Sequence, residues 1–282
     1  VLGRKKNARK AQKAIQHLHK KYEVAALKNQ TDDANRLETQ LKKAQALFAN
    51  EKFEACYYEV TGKKLHKPRR DSGVVVHALN GINLEIRQGD LVAIMGPSGS
   101  GKSTLLNMLG LLDQPTAGQI FINGKNVTAI KNHELPNIRS KELGFVFQSF
   151  NLITTLTALE NVMLPLRYAG VRPKERRHRA KKALEQVGLG NRMHHKPNEL
   201  SGGQQQRVAI ARSIVNTPAI IFGDELTGEL DSKMTEEIMG LIVELNEAGQ
   251  TFIIVTHNPE VAKRCKRVLV MRDGKVEKAH TQ

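Results

Sequence analysis

The twenty residues Leu91–Gly110, LVAIMGPSGSGKSTLLNMLG, constrain this chain more than any other stretch. Leu91 to Met95 are apolar throughout, the pattern of a parallel strand covered on both faces. Gly96–Ser103 then fits G-x-x-x-x-G-K-[ST], and Leu105–Leu109 continue as an apolar, helix-favouring run. Strand, glycine loop and helix in that order are the context that makes the pattern a phosphate-binding loop. Glycines at 96, 99 and 101 let successive backbone N–H groups turn inward as an anion nest. The helix that follows adds the positive end of its dipole. Lys102 is expected on the β- and γ-phosphates, and the Ser103 hydroxyl on Mg²⁺. Ser98, Ser100 and Thr104 complete the expected cradle. A flexible Gly/Ser turn is the plainer alternative. The bare pattern arises by chance in roughly one chain in a hundred of this length, and the flanking strand and helix lower that further.

The 282 residues are enough for one large domain or two modest ones, and 40% hydrophobic content is adequate for a packed core. No run approaches the length needed to span a bilayer. No secretory signal stands at the start, where the first residue is Val1. Cys56 and Cys265 are far apart and lack metal-ligand spacing, so two reduced thiols are expected rather than a disulfide. The net charge of +16 is uneven: residues 1–70 hold 18 Lys/Arg against 7 Asp/Glu. Such a basic arm suits an anionic partner, whether lipid headgroups, nucleic acid or an acidic protein face; the alternative is a solvated helical face.

Along the chain, residues 1–50 read as helix, with neither proline nor a glycine after Gly3. Thr31 is a helix start, and stripes at Ala14–Ala26 and Leu37–Phe48 predict a two-helix hairpin over residues 1–52, with a single long helix as the alternative. Phe53–Val60 reads as a strand and Thr61–Gly73 as a basic turn. Val74–Val76 and Ile82–Ile86 read as short antiparallel strands. Gln119–Ile122 with Asn123-Gly124 begins a hairpin. Residues 155–197 are polar and helical, with Arg172, Lys174, Arg176, Arg177, Arg179, Lys181 and Lys182 crowded together. They predict a helical subdomain, about 149–205, inserted into a sheet domain spanning 53–282. Met234–Glu247 reads as amphipathic helix, and Val268–Met271 with Lys275–Glu277 as a final hairpin.

Three apolar strands end in polar residues: Phe145–Phe147 in Gln148, Ala219–Phe222 in Asp224-Glu225, and Thr251–Val255 in Thr256-His257. Ligands of doubly wound sheets sit at the carboxyl ends of parallel strands. One rim would then carry a phosphate cradle, an amide, two carboxylates and an imidazole, the parts needed to hydrolyse a phosphoanhydride. Asp224 takes the Mg²⁺-holding position. Glu225 is free to polarise the attacking water. Gln148 can contact Mg²⁺ or orient that water, and His257 can donate to the γ-phosphate. Taken singly, Asp-Glu could be only a helix start, and His257 a satisfied strand-end histidine. Ser201 and Gln204 in Leu200-Ser-Gly-Gly-Gln204 form a capping box before a helix. Yet Gly202 and Gly203 weaken a first helical turn, and two glycines with a serine at a helix start also make a second anion site. One nucleotide does not need two such sites from one chain, which hints at a second copy.

With these motifs in place, the chain resembles the ATP-binding subunits of ABC transporters over about residues 53–282. The resemblance rests on Gly96–Ser103, Gln148, Leu200–Gln204, Asp224-Glu225, the loop Gly228-Glu-Leu-Asp231 and His257, in the family's order and spacing. Phe145–Leu152 and Leu156–Val162 look like the lipoprotein-release, macrolide-export and antimicrobial-peptide-export branch. The resemblance implies an α/β P-loop NTPase of RecA-like core, with an antiparallel β subdomain and an inserted helical subdomain. It implies ATP and Mg²⁺ as cofactors, with Ser103, Gln148 and Asp224 at the metal. It also implies a head-to-tail homodimer or pseudo-dimer, in which Ser201, Gly203 and Gln204 of one chain close over ATP held by Gly96–Thr104 of the other. Separate transmembrane permease subunits would be driven from the cytoplasmic side of the membrane. The alternative is a non-transport ATPase of the same family on ribosome or nucleic acid. The single nucleotide domain, and the short span between phosphate loop and signature, speak against nucleic acid. Three features depart from the family pattern. Leu226 stands where Pro follows the catalytic glutamate, Thr61–Arg70 offers only His66 for adenine stacking, and the basic residues 1–52 have no family counterpart.

Overall fold

The computed structural model describes residues 55–59 and 77–281, with side chains from 77 to 277. The expected helices of residues 1–50, the turn Thr61–Gly73 with His66, and the strand Val74–Val76 lie outside those residues. The chain divides into two compact units, residues 1–55 with 123–125 and residues 56–122 with 126–282. The second contains nearly everything described below.

Its centre is a six-stranded sheet. The strands are β3 (Leu91–Met95), β6 (Leu143–Phe147), β7 (Ile220–Asp224), β8 (Phe252–Val255), β9 (Arg267–Arg272) and β10 (Lys275–Thr281). Their spatial order is β10-β9-β3-β8-β7-β6. All neighbours are parallel except β10, which returns antiparallel to β9 through the Asp273-Gly274 turn. A smaller sheet places β2 (Asn83–Arg87), β1 (Ala55–Glu59) and β4 (Gln119–Ile122) side by side, with Tyr58 opposite Ile120. β4 turns at Asn123-Gly124, both at positive φ, into the two-residue β5 (Lys125–Asn126). Positive φ at both central residues is the type I′ hairpin that Asn-Gly favours.

The main strands read as unbroken apolar runs because both faces are covered. Period-two alternation then sorts their side chains into two cores. Leu91, Ala93, Ile221, Phe252 and Ile254 face one cluster; Val92, Ile94, Ile220, Phe222, Ile253 and Val255 face the other. The first is closed by α3 (Ala158–Tyr168), α4 (Pro173–Gln186), α5 (Gly202–Ile214) and α6 (Ser232–Glu247). The second is closed by α1 (Lys102–Leu109) and by side chains of β2 and β4. Among the described residues no helix is long and apolar enough to cross a membrane.

The helices start as their sequences dictate. Thr157 and Glu160 form a reciprocal capping box on α3, which holds the Glu160 carboxyl below its ordinary range through hydrogen bonds from Thr157. Asp231 caps α6 by accepting from the Met234 N–H at 2.8 Å. Two helices escape the sequence reading. α2 (Leu135–Glu142) is polar, buries only Leu135 and has Pro136 in its first turn. α7 (Pro259–Lys263) has five residues, too few for a periodic signal.

Candidate nucleotide-hydrolysing site

The register of the parallel strands brings the expected polar residues to one edge. Phe147 lies opposite Asp224, Asp224 opposite Val255, and Ile94 opposite Val255. Gln148, Glu225 and Thr256-His257 therefore leave the sheet level with Gly96. No motif supplies this alignment. It follows from four buried strands that cannot slip by one residue without turning each apolar set to the wrong core.

The phosphate loop has the shape its glycines predict. Gly96, Gly99 and Gly101 all have positive φ. A β-carbon on Gly96 would lie 2.3 Å from the Met271 carbonyl oxygen, and one on Gly101 2.5 Å from that of Ala78. Backbone packs against backbone at both points, so no larger residue fits. Lys102 Nζ donates to the carbonyls of Gly96 (2.8 Å) and Pro97 (2.9 Å), which holds the ammonium across the loop's mouth. Whereas α3, α5 and α6 are capped by their own side chains, α1 begins at left-handed Gly101 with no side-chain cap and no acid in its first turn. Its first N–H groups are thereby left for an external acceptor. Ser100 Oγ is buried inside the loop without a hydrogen-bond partner. An uncapped helix start, an ammonium across the loop and an orphaned buried hydroxyl together fit a bound polyphosphate.

Asp224 ends β7 and Glu225 follows at φ 48°, the left-handed region that a glutamate enters only at a cost. Two bonds hold that backbone: the Glu225 N–H donates to the Val255 carbonyl at 2.9 Å, and the Gly228 N–H to the Glu225 carbonyl at 2.8 Å. The Glu225 carboxylate lies 2.7 Å from His257 Nδ1 and accepts longer bonds from the His257 N–H and the Thr256 hydroxyl, each at 3.4 Å. The sequence places the base and the imidazole on one rim; the structure makes them partners. Burial pushes the Asp224 carboxyl up, adjacent Glu225 adds to the rise, and Lys102 opposes it. Two acids this close share a rim comfortably only when a cation joins them. Beside them a groove of about 400 Å³ is lined by Glu225, Thr227, Gly228, Leu230, His257 and Asn258. The Gln148 amide packs on Gly228, where a β-carbon would meet Nε2 at 2.8 Å. The amide is thus brought against the loop that follows Glu225.

Ser201 and Gln204 start α5, well along the chain from this rim. The Gln204 N–H donates to Ser201 Oγ at 3.4 Å, and the Ser201 N–H to Gln204 Oε1 at 3.1 Å. The capping box is therefore formed, with Gly202 and Gly203 in the first turn. Leu226 departs from proline for a visible reason. Its side chain is buried, and a β-carbon on Gly223 would lie 2.3 Å from Leu226 Cδ2, so leucine fills the space that Gly223 leaves. Cys265 takes no part; its thiol is buried and pushed up to about 12. Sequence reasoning missed Gln206 and Arg212 on α5. Gln206 is fully buried although polar, and falls on the stripe of Ala209, Ile210 and Ser213. A polar residue at an apolar position of the 3.6-residue pattern is the signal that could have found it.

A family model described as ABC transporter matches residues 79–228. An ABC transporter ATP-binding protein of Thermotoga maritima is 54% identical over 204 residues, 72% of this chain and 87% of its own length. The macrolide export ATP-binding/permease protein MacB of Marinobacter nauticus is 52% identical over 72% of this chain, but only 32% of that larger protein is covered. Among solved structures, the dimeric ATP-binding cassette MJ0796 in a post-hydrolysis state bound to ADP and Pi superposes with a TM-score of 0.68. It is 45% identical, with 80% of this chain and 97% of that one covered.

Proposed function

The chain belongs to the ABC transporter family and is an ATP-binding, ATP-hydrolysing subunit; from that premise we propose that it powers separate membrane-spanning permease subunits of an export or mechanotransmission type. The observation that carries the reading is the single rim on which the phosphate loop, Asp224, the Glu225–His257 pair and Gln148 meet. The identity to MacB of Marinobacter nauticus supports the branch. That protein is named for an ATP-binding and a permease part together; the subunit proposed here acts on its permease from the cytoplasmic face of the membrane.

Each residue has a defined task. The loop N–H groups and Lys102 bind and neutralise the β- and γ-phosphates. Glu225 orients a water and takes its proton as the water oxygen bonds to the γ-phosphorus, while the bond from that phosphorus to the ADP oxygen breaks. His257 Nδ1 aims the Glu225 carboxylate, which leaves Nε2 for the γ-phosphate. Mg²⁺, held by Ser103 and Asp224 with Gln148 beside it, would neutralise charge on the β- and γ-oxygens when bound. Ser201, Gly203 and Gln204 close over the nucleotide of a second cassette, so two chains make two complete sites.

Asp224→Asn separates stability from function. A folded-state carboxyl raised above its unfolded value costs stability above the folded pKa, and the cost disappears as pH falls below the unfolded value. Asparagine removes the cost, so the nucleotide-free variant should melt roughly 1–3 °C higher at pH 7, with the gain fading towards pH 4. Phosphate release from Mg²⁺-ATP should fall at least about a hundredfold, because the metal loses its carboxylate. Hydrolysis at the wild-type rate would remove Asp224 from the metal site.

Residues 1–52 hold 13 Lys/Arg against 5 Asp/Glu, half of the net charge of +16, and we extend the reading to them as an electrostatic contact with anionic headgroups. Each well-placed Lys or Arg contributes about 1 kcal/mol near such a surface. Deleting residues 1–52 should leave ATPase activity in place and abolish co-sedimentation with phosphatidylserine vesicles at low salt. Salt-resistant binding of RNA, lost on the same deletion, would instead favour the ribosome-directed alternative.

A further inference from the structure

Helix α5 starts with the signature residues and then makes two contacts that no motif accounts for. About one turn further along, Gln206 is fully buried, and its Nε2 donates to the Leu226 carbonyl at 2.5 Å. Leu226 is the residue directly after the catalytic glutamate. Near the helix's C-terminal end, Arg212 donates through Nη1 to the Asn151 carbonyl at 2.5 Å and through Nη2 to the Phe150 carbonyl at 2.7 Å. Those residues lie two and three positions beyond Gln148, and both have positive φ, 54° and 50°. One rigid helix thus grips both turns that carry the hydrolytic side chains.

Packing alone does not explain these residue types. Burying an amide with one oxygen unpartnered, as at Gln206 Oε1, costs stability that a methionine of similar volume would not lose. Arg212 is largely desolvated, and the partners it meets are neutral carbonyls, with no carboxylate contributing to its environment among the described residues. A half-buried guanidinium without a counter-charge is likewise a poor choice for stability. Its planar fork is, however, suited to holding two successive carbonyls of a left-handed turn at once. That turn is costly for Phe150 and Asn151, and Glu225 pays the same kind of cost. Each left-handed segment has a polar side chain of α5 on the carbonyl beside it.

We propose that Gln206 and Arg212 are positioning residues: together they brace the Glu225 and Gln148 turns against the signature helix and set the reach of the base and the amide to the γ-phosphate. The inference rests on the ATPase reading above. Because the same helix presents Ser201 and Gly203 to the partner's nucleotide, the brace fixes each chain's hydrolytic edge relative to the surface that closes the other site.

The test uses the full chain with Gln206→Met, Arg212→Met and Arg212→Lys. Melting temperature, affinity for a fluorescent ATP analogue and single-turnover hydrolysis are measured for each. The methionine variants should melt at or above the wild-type temperature and bind nucleotide within about twofold, yet hydrolyse about tenfold more slowly, since displacing a catalytic group by a fraction of an ångström costs that much. The loss should appear in kcat and not in KM. Arg212→Lys keeps the charge and one donor and should recover part of the rate. Folded methionine variants that hydrolyse within twofold of wild type overturn the brace. Variants that lose rate only in proportion to lost fold overturn it too, because the role is then structural. A wild-type chain that hydrolyses no ATP instead sinks the ATPase reading itself, an outcome distinct from both.

Discussion

Glu225→Gln leaves nucleotide binding intact and lowers ATP turnover by about two to three orders of magnitude, because the water loses the group that takes its proton. The geometry sharpens this expectation. The Glu225 carboxylate is 2.7 Å from His257 Nδ1, and its backbone is fixed by bonds to Val255 and Gly228. Glutamine keeps the size, the turn and a hydrogen bond to the imidazole, so the variant isolates the proton-accepting role. With ATP bound and unable to turn over, two chains should remain closed on each other. Light scattering of the variant should report a doubled mass with Mg²⁺-ATP and a single mass with ADP. Turnover within a few-fold of wild type would take the base role away from Glu225.

The second large effect is recovery by mixing. Lys102→Ala empties its own chain's phosphate cradle, since the ammonium that spans the loop mouth is gone. Ser201→Arg spoils the surface offered to the partner. Each variant alone should be nearly inactive. In a heterodimer of the two, both lesions fall in one composite site and the other site is whole. An equal mixture should therefore regain roughly a quarter of wild-type activity, half of the dimers being mixed and each having one good site. Mixtures no more active than either variant would mean that the signature does not act on the partner's nucleotide.

The sequence carries the rim further than it carries the supports beneath it. Gly96–Ser103, Gln148, Asp224-Glu225 and His257 are legible because each is a chemically special residue at the end of an apolar run, and buried parallel strands are the most strongly patterned elements of the chain. The two faces of the sheet are legible in the same way, from Leu91/Ala93 against Val92/Ile94. The Glu225–His257 contact is not, because it depends on two strand ends about thirty residues apart being level in register. Gln206 and Arg212 are hidden for another reason. Within Gln204-Gln-Gln-Arg207 every residue looks equally solvated until the helix phase is known, and only packing shows that Gln205 turns back to the Leu200 carbonyl while Gln206 enters the core. Leu226 reads as a loss from the family pattern, yet its side chain is buried in the space beside Gly223. Proline there would vacate the core space that leucine occupies.

The cap on α5 has a consequence for how this surface tolerates sequence change. Ser201 Oγ is an acceptor in the box, so its own hydrogen is not spent on folding. The oxygen starts the helix, and in the proposed head-to-tail assembly the proton is left over for a partner's phosphate. Aspartate or asparagine would start the helix equally well, but aspartate has no proton to give and would meet the phosphate with like charge. A library screened only for folded, well-expressed variants would therefore score position 201 as permissive for aspartate. The same position screened for activity would reject it, and would keep only side chains that both accept and donate. Where one atom serves folding and its covalently attached hydrogen serves assembly, folding-based measures of tolerance miss half of the constraint.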